Sequence, residues 1–476
     1  MSVQRRWKIV IYRNIMNKDS IFYKYNSILL DYLIKNYNYD KSPLIYSKRY
    51  TNGFFTITKP NNKYKNCKFI NGYPHFNIPN DILLEEINNF INNRPLYDKN
   101  IIIRYGDTHL YNPIPKLNQV RNLIIANMFN SMILTSGKKN IIYTICDIDR
   151  KSLKKIVEEI NLNDTDKMIE ELNKYIVSGN CRNQEYLRKW YNLNLETKKD
   201  IIKFLRTLNL KIDKMIFESK LYKNREIYNK IKNDIIYKNG IRQDGTFKYP
   251  LQELMFILAT DKSRTSVLNI IGDDQVDHIL KVMDILDNNN LNTDVSFLTY
   301  GICKNGDSRN IGVWSKKIEE YIKDENIVID NEQIKYQDYL KIIVATQGNN
   351  REINFNDLSK YKQNFEKFKY VYNSKKISYS KRNNNNKIIK NCDLIKNMAL
   401  GNYYLNLAIK SGEQNRFFTY LYTISKEYMR NIDKYDGKLY YNFISKGLQR
   451  LNLNDIEICK RKEMNKYNEI SEEFER

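Results

Sequence analysis

The chain has 476 residues, 42% hydrophobic and 28% charged, enough for two or three domains with cores of their own and too apolar for general disorder. Lysine and arginine number 79 against 55 acids, a formal net charge of +24, so a polyanion is the natural partner, nucleic acid ahead of a membrane surface. No run of about 18 uncharged apolar residues marks a membrane span, and six scattered cysteines without CxxC pairs, apart from the three histidines, argue against a zinc site or disulfide framework.

In chain order, Arg5, Arg6, Lys8, Arg13 and Lys18 precede the first acid, Asp19. An Arg-rich, acid-poor start of this kind reads as an organelle transit segment over residues 1–20, and so as a mitochondrial protein; without it the chain would be cytoplasmic. Residues 1–100 read as a small α+β accessory domain. Phe54–Ile57 is strand-like, and Asp81–Asn92 carries Ile82, Leu83, Leu84, Ile87 and Ile91 at helical spacing. Over 101–330 apolar strands alternate with amphipathic helices. Ile101–Ile103, Ile141–Ile145, Val267–Ile271 and Val295–Thr299 are the strands; Leu117–Leu134 and Val276–Leu286 are helices. That alternation predicts a parallel sheet. Leu153–Asn239 reads as nearly all helical, an insertion at 151–240.

From about 335 the pattern is helical only, with helices at Asn391–Ser411, Gln414–Ile432 and Tyr440–Leu451, so 331–476 reads as an all-α domain. Lys375–Lys390 is basic and Asn-rich and predicts a flexible exposed loop. Phosphates take Lys and Arg, and splayed RNA bases stack on Tyr. Lys375, Lys376, Tyr379, Lys381 and Arg382 are therefore RNA-binding candidates, as are Lys460, Arg461 and Lys462.

Four segments, in this order, resemble arginyl-tRNA synthetases, which are class I aminoacyl-tRNA synthetases. Arg121-Asn122-Leu123-Ile124-Ile125 resembles the family's "R-N/S-x-I-I" helix, which puts Lys116-Leu117-Asn118-Gln119 at the "HIGH" signature. Asp244-Gly245-Thr246-Phe247-Lys248-Tyr249-Pro250-Leu251-Gln252-Glu253 resembles "D-G-T-x-x-Y-x-T-x-D". Asn269–His278 resembles the strand and helix "Y-V-V-G/D-x-x-Q-x-x-H", with Gln275 and His278 at the matching positions; Tyr300-Gly301-Ile302 resembles the strand end before the "KMSKS" loop. The helices of "NRFFTYLYTISKEYMRNI" and "GLQRLNL" resemble the anticodon-binding domain. The resemblance implies an α/β fold: a class I synthetase Rossmann-like catalytic domain with a helical insertion, an N-terminal α+β accessory domain and a C-terminal all-α anticodon-binding-like domain.

Both signatures depart from the family. Such enzymes activate an amino acid with ATP and pass it to a tRNA end, by positioning and by stabilising charge on phosphate. Lys116 stands at the first His of the signature, Asn118 at the Gly where adenine would rest, and Gln119 at the second His. Losing one such charge-stabilising donor costs about 3–4 kcal/mol. In the second loop Gly306 and Asp307 stand where Lys and Met belong, and Asp307 would repel phosphate. Tyr249, Glu253 and Gln275 are what the resemblance leaves of an arginine pocket, and Arg121 and His278 of a nucleotide site.

The resulting expectation is a catalytically inactive arginyl-tRNA synthetase-like protein, without metal or cofactor. It would be an RNA-binding or structural subunit beside other subunits of a ribonucleoprotein, a mitochondrial ribosome, touching rRNA or tRNA and no membrane. The alternative is a divergent, active arginyl-tRNA synthetase using ATP and magnesium.

Overall fold

The computed structural model describes residues 27–40, 44–46, 55–57, 63–109, 117–148, 165–179, 184–235, 237, 240–243, 245–260, 264–272, 275–291, 293–301, 326–329, 332–348, 351–353, 358–381 and 393–460. Helix α1 (Ile28–Tyr37) is opened by Ser27, whose hydroxyl accepts from the Leu30 amide at 3.3 Å, and closed by Asn38 in the left-handed region at φ 54°. Four short strands, β1 (Leu44–Tyr46), β2 (Phe55–Ile57), β3 (Lys68–Ile70) and β4 (Tyr73–Phe76), pair antiparallel in the order β1-β2-β4-β3. Asn71 and Gly72 join β3 to β4, both at positive φ, as a two-residue hairpin requires. Helix α2 (Asn80–Ile91) follows and packs on α1. The antiparallel sheet with its two helices is the α+β arrangement expected of this part of the chain.

The central sheet is parallel throughout. Its strands are β5 (Asn100–His109), β6 (Lys139–Cys146), β7 (Lys214–Phe217), β8 (Thr265–Gly272) and β9 (Val295–Tyr300), in the order β7-β6-β5-β8-β9. Every residue of β8 and β9 is buried, as expected of parallel strands covered on both faces. Helix α3 (Leu117–Met132) connects β5 to β6 and packs on β5, β6 and β8. The strand order reverses between β5 and β8, so the crevice of the fold lies beyond the carboxyl ends of those two strands. Near that end β5 is irregular: Gly106 has φ +140°, and an added Cβ would sit 2.5 Å from the Thr144 carbonyl oxygen of β6.

Between β6 and β8 run α4 (Thr165–Ser178), α5 (Gln184–Thr207), α6 (Glu218–Leu221), α7 (Arg225–Asp234) and α8 (Tyr249–Thr260). The insertion is thus not purely helical. It contributes β7, the edge of the sheet, a segment whose four residues are too few for a strand period to register. Helix α9 (Val276–Asn288) joins β8 to β9.

Past the sheet, β10 (Asn326–Ile329) and β11 (Glu332–Lys335) form a hairpin, and β12 (Cys459–Lys460) pairs with β11. This part is therefore not helical only. Its helices are α10 (Tyr336–Thr346), α11 (Lys362–Lys381), α12 (Asp393–Met398), α13 (Gly401–Ser411), α14 (Gln414–Arg430) and α15 (Gly437–Arg450). Two expectations are corrected. Lys375–Lys381 is the last part of α11 rather than a loop, because Phe365, Phe368, Val371, Ser374 and Ser378 keep one face of that helix buried; residues 382–390 lie outside the described residues. Asn391–Ser411 is broken into α12 and α13, and a Cβ on Gly401 would lie only 3.0 Å from the Phe443 ring. In the core of this unit Tyr428 and Tyr440 stack with centroids 3.7 Å apart. The Tyr440 hydroxyl joins Ser374 (2.7 Å) and Ser425 (2.9 Å), so α11, α14 and α15 share one satisfied polar chain.

The first part of the chain is held by the last. Phe90 packs on Phe443 at 4.6 Å, the Tyr97 hydroxyl donates to Asn406 at 2.6 Å, and Glu86 accepts from the Leu29 amide (3.1 Å) and from Asn402 (2.8 Å).

Candidate active site

The crevice end of the sheet gathers most of the residues singled out from the sequence. Tyr249 and Glu253 lie one turn apart on α8, and Gln275 opens α9 just past β8. The Tyr249 hydroxyl donates to Gln275 Oε1 at 3.0 Å, and its ring lies 5.0 Å from the imidazole of His278, which is exposed. These three side chains form one cluster.

Glu253 does not join it. Only 2% exposed, its carboxylate accepts at both oxygens from Nη1 of Arg104 on β5 and also receives Asn269 Nδ2 of β8 at 3.3 Å. The Arg104 guanidinium lies over the Phe256 ring at 4.3 Å, and the residue is 8% exposed. A carboxylate flanked by an aromatic ring and an amide is a receptor for a guanidinium, and the chain supplies that guanidinium itself. Sequence reasoning missed Arg104. Its signal was available: an arginine after Ile101–Ile103, inside a buried parallel strand, demands a buried carboxylate partner.

Arg121 is also spent inside. It is 1% exposed, donates through Nη1 to the Gly301 carbonyl at the end of β9 and through Nη2 to the Gly348 carbonyl at 3.4 Å, and faces the Tyr300 ring at 5.9 Å. Asn122 donates to the Ile270 carbonyl at 3.1 Å. The Arg-Asn pair thus straps α3 to β8, β9 and the start of the helical part. Leu251, which stands for the Thr of the family pattern, is core.

Asp147, directly after β6, is fully buried. Its carboxylate accepts from the Ser219 amide (2.9 Å), the Ser219 hydroxyl (2.6 Å) and Asn194 (3.5 Å), while its carbonyl takes the Trp190 indole N–H at 3.0 Å. Desolvation outweighs those hydrogen bonds and pushes the carboxyl up to about 6. Asp147 anchors the insertion, through α5 and α6, to the sheet.

Of the signature positions, Lys116, Gly306 and Asp307 lie outside the described residues; Asn118 and Gln119 fall in the first turn of α3, Gln119 half-buried. Of the RNA-binding candidates, Lys375 is half-buried, donates to Asn454 at 2.8 Å, and has its ammonium pushed down by burial, so it is a structural contact. Lys381 pairs with Asp433 at 2.5 Å on the surface. Lys376 is exposed over the Tyr372 ring at 4.6 Å, and Tyr379, 48% exposed, packs at a tilt on Tyr441 at 5.2 Å. Arg382, Arg461 and Lys462 lie outside the described residues, as does the side chain of Lys460 in β12. Among the described residues no three His, Cys, Asp or Glu side chains gather as a metal site, and no helix is long and apolar enough to cross a membrane.

No protein-family model matches the sequence, and no curated protein sequence matches it. Solved structures do match. An arginyl-tRNA synthetase of Plasmodium falciparum superposes with a TM-score of 0.58 at 12% identity, covering 90% of this chain and 96% of its own. That of Thermus thermophilus gives 0.55 at 10%, covering 82% and 87%. A Campylobacter jejuni protein assigned as an arginyl-tRNA synthetase gives 0.53 at 14%, covering 79% and 98%. The chain has the arginyl-tRNA synthetase fold. Identity this low speaks to the fold alone. On the arginyl-tRNA synthetase fold, the crevice beyond β5 and β8 lies where a doubly wound sheet takes its ligand, and Arg104 reaches Glu253 beside it.

Proposed function

We propose that this protein is a catalytically inactive member of the synthetase fold, kept as an RNA-binding or structural subunit of a ribonucleoprotein, and that this particle is a mitochondrial ribosome. The observation that carries the first half is the Arg104–Glu253 pair: the carboxylate at the position the resemblance gives to arginine binding is already neutralised by a guanidinium of the chain. At the two signatures Asn118, Gln119, Gly306 and Asp307 point the same way, since each removes, crowds or repels what holds a nucleotide, while Lys116 keeps a cation at the first of them. RNA binding draws support from the charge of +24 and from a fold shared with proteins named as tRNA synthetases. Neither ATP nor magnesium has a role in this reading. The mitochondrial assignment rests on the Arg-rich start.

One observation favours the alternative, an active arginyl-tRNA synthetase: the Tyr249–Gln275 hydrogen bond beside His278 keeps a polar cluster at the strand ends. Arginine-dependent ATP–pyrophosphate exchange separates the two. The proposal expects none, and no ATP binding by calorimetry with or without arginine. Exchange that is lost in Lys116→Ala would install the active enzyme instead. Sedimentation of the native protein with ribosomal particles tests the second half; a protein that stays free of them, with no affinity for RNA at physiological salt, would overturn it.

A further inference from the structure

A second concave site lies away from the crevice. The edge strand β7, the loop before it and one side of α5 flank an open groove of about 590 Å³; Lys198, Arg206, Lys211 and Lys214 line it, and apolar side chains, Ile202 among them, make up most of the rest of its wall. Lys214 is the first residue of β7, which runs parallel to β6 with Lys214 opposite Ile142. The groove is therefore at the amino end of the edge strand, whereas Gln275 and the Tyr249 cluster follow the carboxyl end of β8. All four cations are exposed, and none has an ion-pair partner among the described residues. The one acid lining the groove, Asp213, is committed to the backbone: its carboxylate accepts the Ile141 amide at 2.6 Å, and its own amide donates to the Ile141 carbonyl at 2.9 Å. The Lys211 amide is likewise fixed, donating to the side chain of Asn127 on α3 at 2.9 Å. Lys211 and Lys214 thus stand on a wall tied to the sheet and to α3, with Lys198 and Arg206 on the wall formed by α5.

The side of α5 that enters the groove continues outward. Tyr191, Leu195, Lys198, Ile202 and Arg206 recur at intervals of four, three, four and four residues, one stripe of a helix. Tyr191 and Leu195 are 43% and 58% exposed, among the large apolar side chains the protein leaves in water. An aromatic face followed by a row of cations is complementary to a chain that alternates flat bases with phosphates. An open groove of this volume takes a group of nucleotide size.

We infer that the groove between α5 and β7 binds a single-stranded RNA segment, with its phosphates on Lys198, Arg206, Lys211 and Lys214 and a base stacked on Tyr191. This rests on the RNA-binding reading above and gives it a location. Four phosphate contacts on single-stranded nucleic acid add about 2.8 to the slope of log affinity against log salt, about fifty-fold over a fourfold rise in salt.

The test is fluorescence anisotropy of the full chain with a labelled oligouridylate across a salt series. The variant Lys198→Gln, Arg206→Gln, Lys211→Gln, Lys214→Gln is compared with an equal charge change elsewhere, Lys362→Gln, Lys367→Gln, Lys426→Gln, Lys438→Gln on α11, α14 and α15. All eight residues are exposed, so both variants should fold. The expected result is a slope shallower by about 3 and a loss of tens-fold in affinity for the groove variant alone. Tyr191→Ala loses about five-fold or more with the salt slope unchanged. Equal losses in the two variants would mean binding by diffuse charge and overturn the assignment. So would groove-dependent binding of an RNA duplex as tight as that of the single strand, or of polyglutamate with no binding of RNA. Wild-type protein that binds RNA while the groove variant is unimpaired sinks only the location; wild-type protein that binds no RNA sinks the RNA-binding reading with it.

Discussion

Arg104→Ala tests whether the Glu253 site is a guanidinium receptor filled from within. The substitution leaves a carboxylate that is 2% exposed with Asn269, 3.3 Å away, as a neutral donor in place of a cation. Orphaning one member of a buried ion pair costs about 3–5 kcal/mol, and at about 2–4 °C per kcal/mol for a large domain the melting temperature should fall by roughly 10 °C. A merely structural arginine would give the same fall. What sets the receptor apart is rescue, because the truncation leaves a hole shaped for the group removed. Methylguanidinium, or arginine itself, should stabilise Arg104→Ala by about 2.7 kcal/mol at a hundred times its dissociation constant, and should leave the wild type unmoved. Glu253→Gln on the Arg104→Ala background should abolish the rescue. Thermal melts by circular dichroism across a ligand series read all of this. A variant that melts like the wild type, or a wild type that arginine stabilises as much as the variant, would refute the reasoning.

Further outcomes follow from the same structure. Burial holds the Asp147 carboxyl at about 6 against 3.8 for the exposed group, so the folded state keeps a proton that the unfolded chain releases. Stability from this site is thus present at low pH and is lost as pH rises from about 4 to about 6, a change of about 3 kcal/mol. Asp147→Asn should flatten that dependence and gain on the wild type as pH rises, seen as the difference between their urea midpoints at pH 4.5 and 7.5; a constant difference would count against it. Gly106→Ala combines a positive φ with a Cβ 2.5 Å from the Thr144 backbone and should cost at least about 3 kcal/mol. Gly348→Ala, with nothing nearer than 3.7 Å, should stay within about 0.5 kcal/mol, both read by thermal melts. Lys381→Ala should move stability by less than about 1 kcal/mol in a urea titration, because Asp433 is 84% exposed.

The parallel strands were legible in the sequence because each is a short, nearly unbroken apolar run, and a strand covered on both faces has no other way to look. The strand β7 was not. Its four residues sit among helices, and its edge position leaves Lys214 in water. Lys375–Lys381 was misread because its composition is that of a loop, while the face that makes it helical is spread over Phe365–Ser378 and shows only against α14 and α15. At the candidate site Tyr249, Gln275 and His278 were found by resemblance, and the structure does bring them together. The fate of Glu253 was hidden: its partner Arg104 lies 149 residues away, and nothing local pairs them.

The closing of the first part of the chain by the last has a consequence during synthesis. Asn93 meets Arg450 across 357 residues, Tyr97 meets Asn406 across 309, and Asn402 reaches Glu86 across 316. At 5–20 residues per second, the N-terminal unit leaves the ribosome roughly 20–70 s before Arg450 has been made. Throughout that interval the Phe90 ring has no Phe443 to cover it and Glu86 has no Asn402. The nascent chain is thus an apolar surface awaiting its own last hundred residues, a natural client for a holding chaperone and the stage at which aggregation would begin.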